Sequence, residues 1–215
     1  MNLPFDPSVF AGKRVLVTGD TGFKGSWLSL WLNRIGADVW GLALPNEDKR
    51  CHFSLLGLDK IITHRDGDVR DRSVVQSIFD DAEPEIVFHL AAQSLVKKSY
   101  ADPKLTFDTN VGGSINILDV AWDCSSLKAL TFITSDKCYL NKEWLWGYRE
   151  NDELGGLDPY SASKAAAEIV FRAYAASFID ARNDLGAATT RAGNVIGGGD
   201  WAADRIVPDC IRALE

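Results

Sequence analysis

Apolar and polar positions alternate in blocks along this chain: short unbroken apolar runs are separated by longer stretches with helical spacing. Lys13–Gly19 (KRVLVTG) reads as a buried strand, and Lys24–Gly36 as a helix ended by glycine. Asp38–Leu44 is a second strand and Ile61–His64 a short third one. Asp71–Asp81 has helical spacing, and Glu85–Ala91 is a fourth strand. Lys104–Asp123 is a long helix, Ala129–Ser135 a fifth strand, Pro159–Arg182 a second long helix and Gly186–Thr190 a sixth strand. A strand that is apolar along its whole length is buried on both faces, and the helices between strands supply the cover. The pattern therefore predicts an α/β fold, a doubly wound parallel sheet of Rossmann type. Leu140–Leu157, rich in Trp, Gly and charge, reads as a long ordered loop at the carboxyl edge, where open α/β sheets bind ligands.

The last stretch changes the domain picture. After Gly193 the chain runs through Asn194-Val195-Ile196-Gly197-Gly198-Gly199-Asp200-Trp201 and opens a helix at Asp204–Leu214. We expect residues 1–193 to form a dinucleotide-binding domain and 194–215 to begin a smaller substrate domain that continues in a longer protein.

Composition narrows the classes. With 215 residues the chain makes one large domain, or one domain and part of another, at roughly 150 residues each. The 23 Lys and Arg against 30 Asp and Glu leave a net charge of −7, against the clustered cations that a nucleic-acid backbone requires. No apolar window approaches the ~18 residues of a membrane span. Met1–Phe10 contains Asp6, two prolines and no basic run, unlike a signal peptide. Cys51, Cys124, Cys138 and Cys210 form no CxxC pair, and none stands at ligand spacing from His52, His64 or His89, so no metal is expected. Scattered thiols fit a reducing cytoplasm.

The first strand runs into Gly19-Asp20-Thr21-Gly22-Phe23-Lys24-Gly25, a G-x-x-G-x-x-G turn that opens a helix. Glycines there allow a tight turn and close backbone approach to a pyrophosphate, and the helix N-terminus supplies amide donors. The second strand should end in an acid that holds the adenosine ribose, but Leu42-Ala43-Leu44-Pro45-Asn46 has none. Glu47 follows further along, and Lys24, Lys49 and Arg50 could meet a 2′-phosphate, so the second strand leaves NAD and NADP open. Asp68-Val69 reads either as an adenine contact or as the cap of the next helix. Leu90-Ala91-Ala92-Gln93, small residues at a strand end, would let a cofactor lie against the backbone. Asn110, beside Gly112-Gly113, serves either a structural or a catalytic purpose. Tyr160-Ser161-Ala162-Ser163-Lys164 puts Tyr160 and Lys164 on one helix face, where an ammonium would lower the phenol toward working pH and make it a base. Ser135, at the end of the fifth strand, could hydrogen-bond a substrate hydroxyl.

These motifs identify the chain as similar to the extended short-chain dehydrogenases/reductases, the group of nucleotide-sugar epimerases and dehydratases. Gly22–Leu28, Thr134–Tyr139, Trp146–Glu150, Asp158–Ser161 and Arg191–Trp201 resemble, in order, the CDP-glucose dehydratase branch. Related dehydratases carry Asp-Glu after the Ser/Thr; here the pair is Asp136-Lys137, which the resemblance places in that branch and away from epimerases. It implies a lyase with bound NAD acting on CDP-glucose, in nucleotide-sugar supply for surface polysaccharides, and a homodimer or homotetramer joined through the two long helices. Its catalytic residues would be Ser135, Asp136, Lys137, Tyr160 and Lys164, with Tyr160, Lys164, Asn110 and Gln93 also at the cofactor. Gln93, Ser135, Asn194 and Arg205 would meet substrate. Members of the group commonly have His where this chain has Asp20; a carboxylate there is unfavourable beside a pyrophosphate unless it points away.

Overall fold

The computed structural model describes residues 6–46 and 50–214. Six strands form one parallel sheet: β1 (Arg14–Thr18), β2 (Asp38–Ala43), β3 (Thr63–Asp66), β4 (Ile86–His89), β5 (Ala129–Ile133) and β6 (Gly186–Thr190). Their order is β3-β2-β1-β4-β5-β6, so the winding reverses between β1 and β4. At that switch point the strand ends diverge and open a crevice for ligand. The helices are α1 (Phe23–Arg34), α2 (His52–Leu56), α3 (Arg72–Ala82), α4 (Val96–Ala101), α5 (Pro103–Phe107), α6 (Ser114–Ala121), α7 (Pro159–Tyr174) and α8 (Ile206–Leu214).

Because side chains alternate along a strand, β1 feeds two cores. Leu16 joins Leu42, Val87, Leu130 and Phe132 under α3, α6 and α7, where Val75, Ile78, Ile117, Leu118 and Phe171 close the layer. Val15 and Val17 face the other way, with Val39, Leu32 of α1, Phe53 of α2 and Leu58. Both faces of the inner strands are covered, which is why those strands are largely apolar, whereas the edge strands β3 and β6 are partly exposed and more polar. Caps fix the helix entries: Asp71 accepts from Ser73 N–H at 2.9 Å before α3, and Asp158 accepts from Ser161 N–H at 3.0 Å before α7, with Pro159 in the first turn.

The third strand is displaced from its expected place. Ile61 and Ile62 turn their N–H groups back to Leu58 O, both at 3.0 Å, so the ladder begins only at Thr63. The first long helix, expected over Lys104–Asp123, is α5, a π-helical stretch at Asp108–Gly113, then α6; the second ends α7 with π-helical Ala175–Ile179. The first π stretch forms where Asn110 is drawn onto Gln93, and where a Cβ at Gly113 would lie 2.7 Å from Val69 Cγ2. Leu140–Leu157 is held by an antiparallel bridge from Tyr139 to Leu154 and by Tyr139 stacking on Tyr148, ring centres 5.1 Å apart. No helix among the described residues is long and apolar enough to cross a membrane.

Candidate functional site

The carboxyl ends of the central strands, the start of α1 and the segment after β6 enclose a cleft of about 1030 Å³. Its floor is the glycine turn. Gly19 has φ +75°, and a Cβ there would lie 2.9 Å from Ala91 N; a Cβ at Gly25 would lie 2.0 Å from Gly19 O. The backbone is thus packed as closely as a side-chain-free turn allows. Gly22 caps α1 without a side-chain hydrogen bond, leaving the first-turn amides to a ligand. The residues fit a dinucleotide: Gly19, Thr21, Gly22, Phe23, Lys24 and Gly25 line one side, and Asp68, Val69, Leu90, Ala91, Ala92 and Gln93 continue the wall.

Several side chains are occupied differently from what the sequence suggests. Asp68 pairs with Arg70, Oδ2 to Nη2 at 2.5 Å, and the helix cap is Asp71 instead. Gln93 turns its amide to Leu95 O (3.1 Å) and Thr106 Oγ1 (2.9 Å), bracing the loop after β4. Asn110 lies beneath the cleft: its Oδ1 accepts from Gln93 N–H at 2.8 Å, and its Nδ2 donates to Ser163 Oγ at 2.9 Å. These contacts are structural. Asp20 points away from the turn into the sheet and pairs with His64. Glu47 and Lys49 lie outside the described residues, and Arg50 is not on the cleft wall.

The other wall carries Ser135, Asp136, Lys137, Tyr160, Asn194 and Arg205. Ser135 Oγ donates to Asp136 Oδ1 at 3.0 Å and accepts from Lys137 N–H at 3.2 Å. Arg205 bonds Asp200 Oδ2 at 3.0 Å and reaches Ser94 Oγ at 3.4 Å. Lys164 is buried one turn along α7 from Tyr160 and does not reach the wall; burial, with Lys24 nearby, pushes its ammonium down to about 8. The expected lowering of the Tyr160 phenol is not present here. Burial pushes it above 10, opposed by the hydrogen bond to Ser135 and the charge of Arg205.

One network escaped the sequence reading. Glu168, a further turn along α7, is buried and accepts from Arg191 Nε (3.0 Å) and Nη2 (2.8 Å), from Thr189 Oγ1 (3.1 Å) and from Thr134 Oγ1. It ties the helix bearing Tyr160 to the ends of β5 and β6, where Ser135 begins. The signal was the spacing: Tyr160, Lys164 and Glu168 recur every four residues on one face. The histidines serve separate ends: His52 bonds Ser26 Oγ at 2.8 Å and His89 bonds Thr18 Oγ1 at 2.7 Å. Among the described residues no group of His, Cys, Asp and Glu is placed to hold a metal.

Residues 16–186 match the sequence profile of the GDP-mannose 4,6 dehydratase family. The chain belongs to that family. Within it, the chain is 49% identical to a CDP-glucose 4,6-dehydratase of Salmonella typhimurium, over 98% of this chain and 60% of that protein. Its fold matches a dTDP-glucose 4,6-dehydratase double mutant of Streptomyces venezuelae, solved with NAD and DAU bound (26% identity, TM-score 0.79, 93% and 61% coverage). It also matches a UDP-glucose 4-epimerase of Thermus thermophilus in complex with NAD (30% identity, TM-score 0.74, 88% and 58% coverage). The chain thus spans about 60% of the length of such family members.

Proposed function

We propose that this family member is a CDP-glucose 4,6-dehydratase that uses NAD and releases CDP-4-dehydro-6-deoxy-glucose and water. The observation that carries the reading is Asp136-Lys137 directly after Ser135 on the wall that also bears Tyr160, facing the glycine turn across one cleft. The 49% identity to the Salmonella enzyme supports the same choice.

The chemistry NAD supplies when bound is reversible hydride acceptance, between sugar C4 and C6. The chain's residues manage the protons. Tyr160, as phenolate, takes the O4 proton, and Ser135 orients that hydroxyl by hydrogen bond. Lys164 on the same helix face supplies the cation that favours the phenolate once ligand fills the cleft. The C4 ketone acidifies the C5 proton. Asp136 gives a proton to the departing C6 hydroxyl, and Lys137 either takes the C5 proton or steadies the enolate oxygen. Lys137→Arg, cationic but a poor base, separates these roles: retained turnover means a cation is enough, and loss equal to that of Lys137→Gln means a base is needed. Asn194 and Arg205 are proposed as the first contacts of a substrate domain that starts after Gly193. We further propose assembly as a homodimer or homotetramer, and a cytoplasmic location.

The reading is tested by incubating the protein with NAD and, separately, CDP-, dTDP-, GDP- and UDP-glucose, with products read by mass. Loss of one water from CDP-glucose alone supports it. Epimerised product without water loss would overturn it in favour of an epimerase, and bound NAD with no product from any sugar would leave a dinucleotide-binding module.

A further inference from the structure

The geometry points to His64 as the resident counter-ion of the phosphate turn: an imidazolium that holds Asp20 inside the sheet, so that the turn accepts a pyrophosphate only while this cation is present. The inference deepens the NAD-binding reading above and rests on it.

Asp20 lies between Gly19 and Gly22, in the stretch that approaches the phosphates. A carboxylate left in that turn would repel a pyrophosphate. Its side chain is instead fully buried. It occupies a slot over β2 that exists only because residue 41 is glycine: a Cβ there would lie 2.1 Å from Asp20 Oδ2. A buried carboxylate needs a partner. Oδ1 has no hydrogen-bond partner among the described residues, and Oδ2 lies 2.7 Å from His64 Nδ1. The other ring nitrogen, Nε2, lies 3.2 Å from Asp66 Oδ1. Burial raises the Asp20 carboxyl and the bond to His64 opposes it. With both carboxylates ionised they only accept, and an imidazole bonded to both then donates from both nitrogens as a cation.

Among the described residues the charged groups facing His64 are Asp20 from the turn and Asp66 from β3, with Asp59 and Lys60 on the same open hollow of about 450 Å³. Phe53 covers the ring, centres 5.0 Å apart. The bond to Asp20 raises the imidazole above its usual 6.5, against burial. That hollow gives protons a path to the ring. As pH rises past the raised value, His64 becomes neutral, Asp20 loses its counter-ion, and the carboxylate is driven toward solvent at the phosphate turn.

The experiment is an NAD titration by calorimetry between about pH 6 and about pH 9, a range that spans a histidine's titration. It uses the protein, His64→Gln, Asp20→Asn and the double variant. The expected result is a wild-type affinity that falls by roughly tenfold or more across the range, as one lost charge pairing implies. His64→Gln should be weak throughout, and Asp20→Asn and the double variant tight, sharing one pH profile to which only the remaining cleft groups, Lys24 and Lys164, contribute. Equal affinities for wild type and His64→Gln, or an Asp20→Asn affinity that falls as steeply with pH as that of wild type, would overturn the proposal. If His64→Gln does not fold, the Asp20→Asn comparison still decides. If no form binds NAD, the cofactor reading fails; the pair is then judged by NMR titration of His64 in the apo protein. A pKa above 6.5 that drops in Asp20→Asn supports the pairing, and an unchanged value refutes it.

Discussion

Replacing Glu168 by alanine removes the acceptor for two Arg191 nitrogens, 3.0 and 2.8 Å away, and for the Thr134 and Thr189 hydroxyls. The ion pair is buried, with side-chain exposures of 4% for Glu168 and 14% for Arg191. Removing one partner of a buried pair costs about 3–5 kcal/mol, chiefly because the other charge is stranded. Two features pull the value to the lower end. Arg191 keeps Glu150 O at 3.0 Å and the Tyr139 ring at 4.9 Å, and Thr134 keeps Thr190 O at 3.2 Å. We expect a loss of about 3 kcal/mol in urea unfolding at neutral pH. Arg191→Met should lose a similar amount, and Glu168→Met with Arg191→Met clearly less than the sum, because an apolar pair strands no charge. The pH dependence has a definite sign. Burial would raise the Glu168 carboxyl, but Arg191 and Thr134 outweigh it and hold it below 4.5. Its contribution is therefore complete above the unfolded value of 4.5 and is lost as pH falls through the lower folded one. A Glu168→Ala loss under about 1 kcal/mol, or strictly additive single variants, would refute the reasoning.

Other consequences are equally direct. Tyr160→Phe should leave NAD bound while turnover falls at least ~100-fold, the low end for removing a general base; unchanged turnover would remove Tyr160 from the mechanism. Gly25→Ala drives a methyl to 2.0 Å from Gly19 O, so it should destabilise the domain by about 1–3 kcal/mol and abolish NAD binding, both read from melts with and without NAD. Lys164 is held at about 8 against 10.5 unfolded, so the unfolded chain binds the extra proton and stability rises with pH between those values. Lys164→Met should be more stable than wild type at neutral pH, with the gap closing across that window in denaturant titrations.

The sheet was legible because both its faces are buried. The inner strands β1, β2, β4 and β5 announce themselves as largely apolar runs, and β6, Gly-Ala-Ala-Thr-Thr, falls on Gly186–Thr190 as the pattern predicts. The third strand slipped because Ile61-Ile62 is apolar yet closes a turn, a choice made by backbone hydrogen bonds to Leu58 that periodicity does not encode. Helices α2 and α4, five and six residues long, were too short to show a period. In the cleft, the glycine spacing and Tyr160 named residues that the fold sets on facing walls, with Lys164 buried behind them. What could not be read was the occupation of polar side chains: Asp68 on Arg70, Gln93 on Thr106 and Asp20 on His64 each depend on contacts distant in sequence or on rotamers. The electrostatics were hidden for the same reason, since Tyr160 is raised by burial that only the folded chain shows.

The most direct test of the dehydratase reading follows one atom. CDP-glucose carrying deuterium at C4 is incubated with the full-length protein and NAD, and the product is analysed by mass and NMR. The account predicts loss of water with deuterium recovered at C6, the signature of a hydride taken from C4 and returned within one active site. Deuterium found still at C4, in an inverted or unchanged sugar, would contradict it.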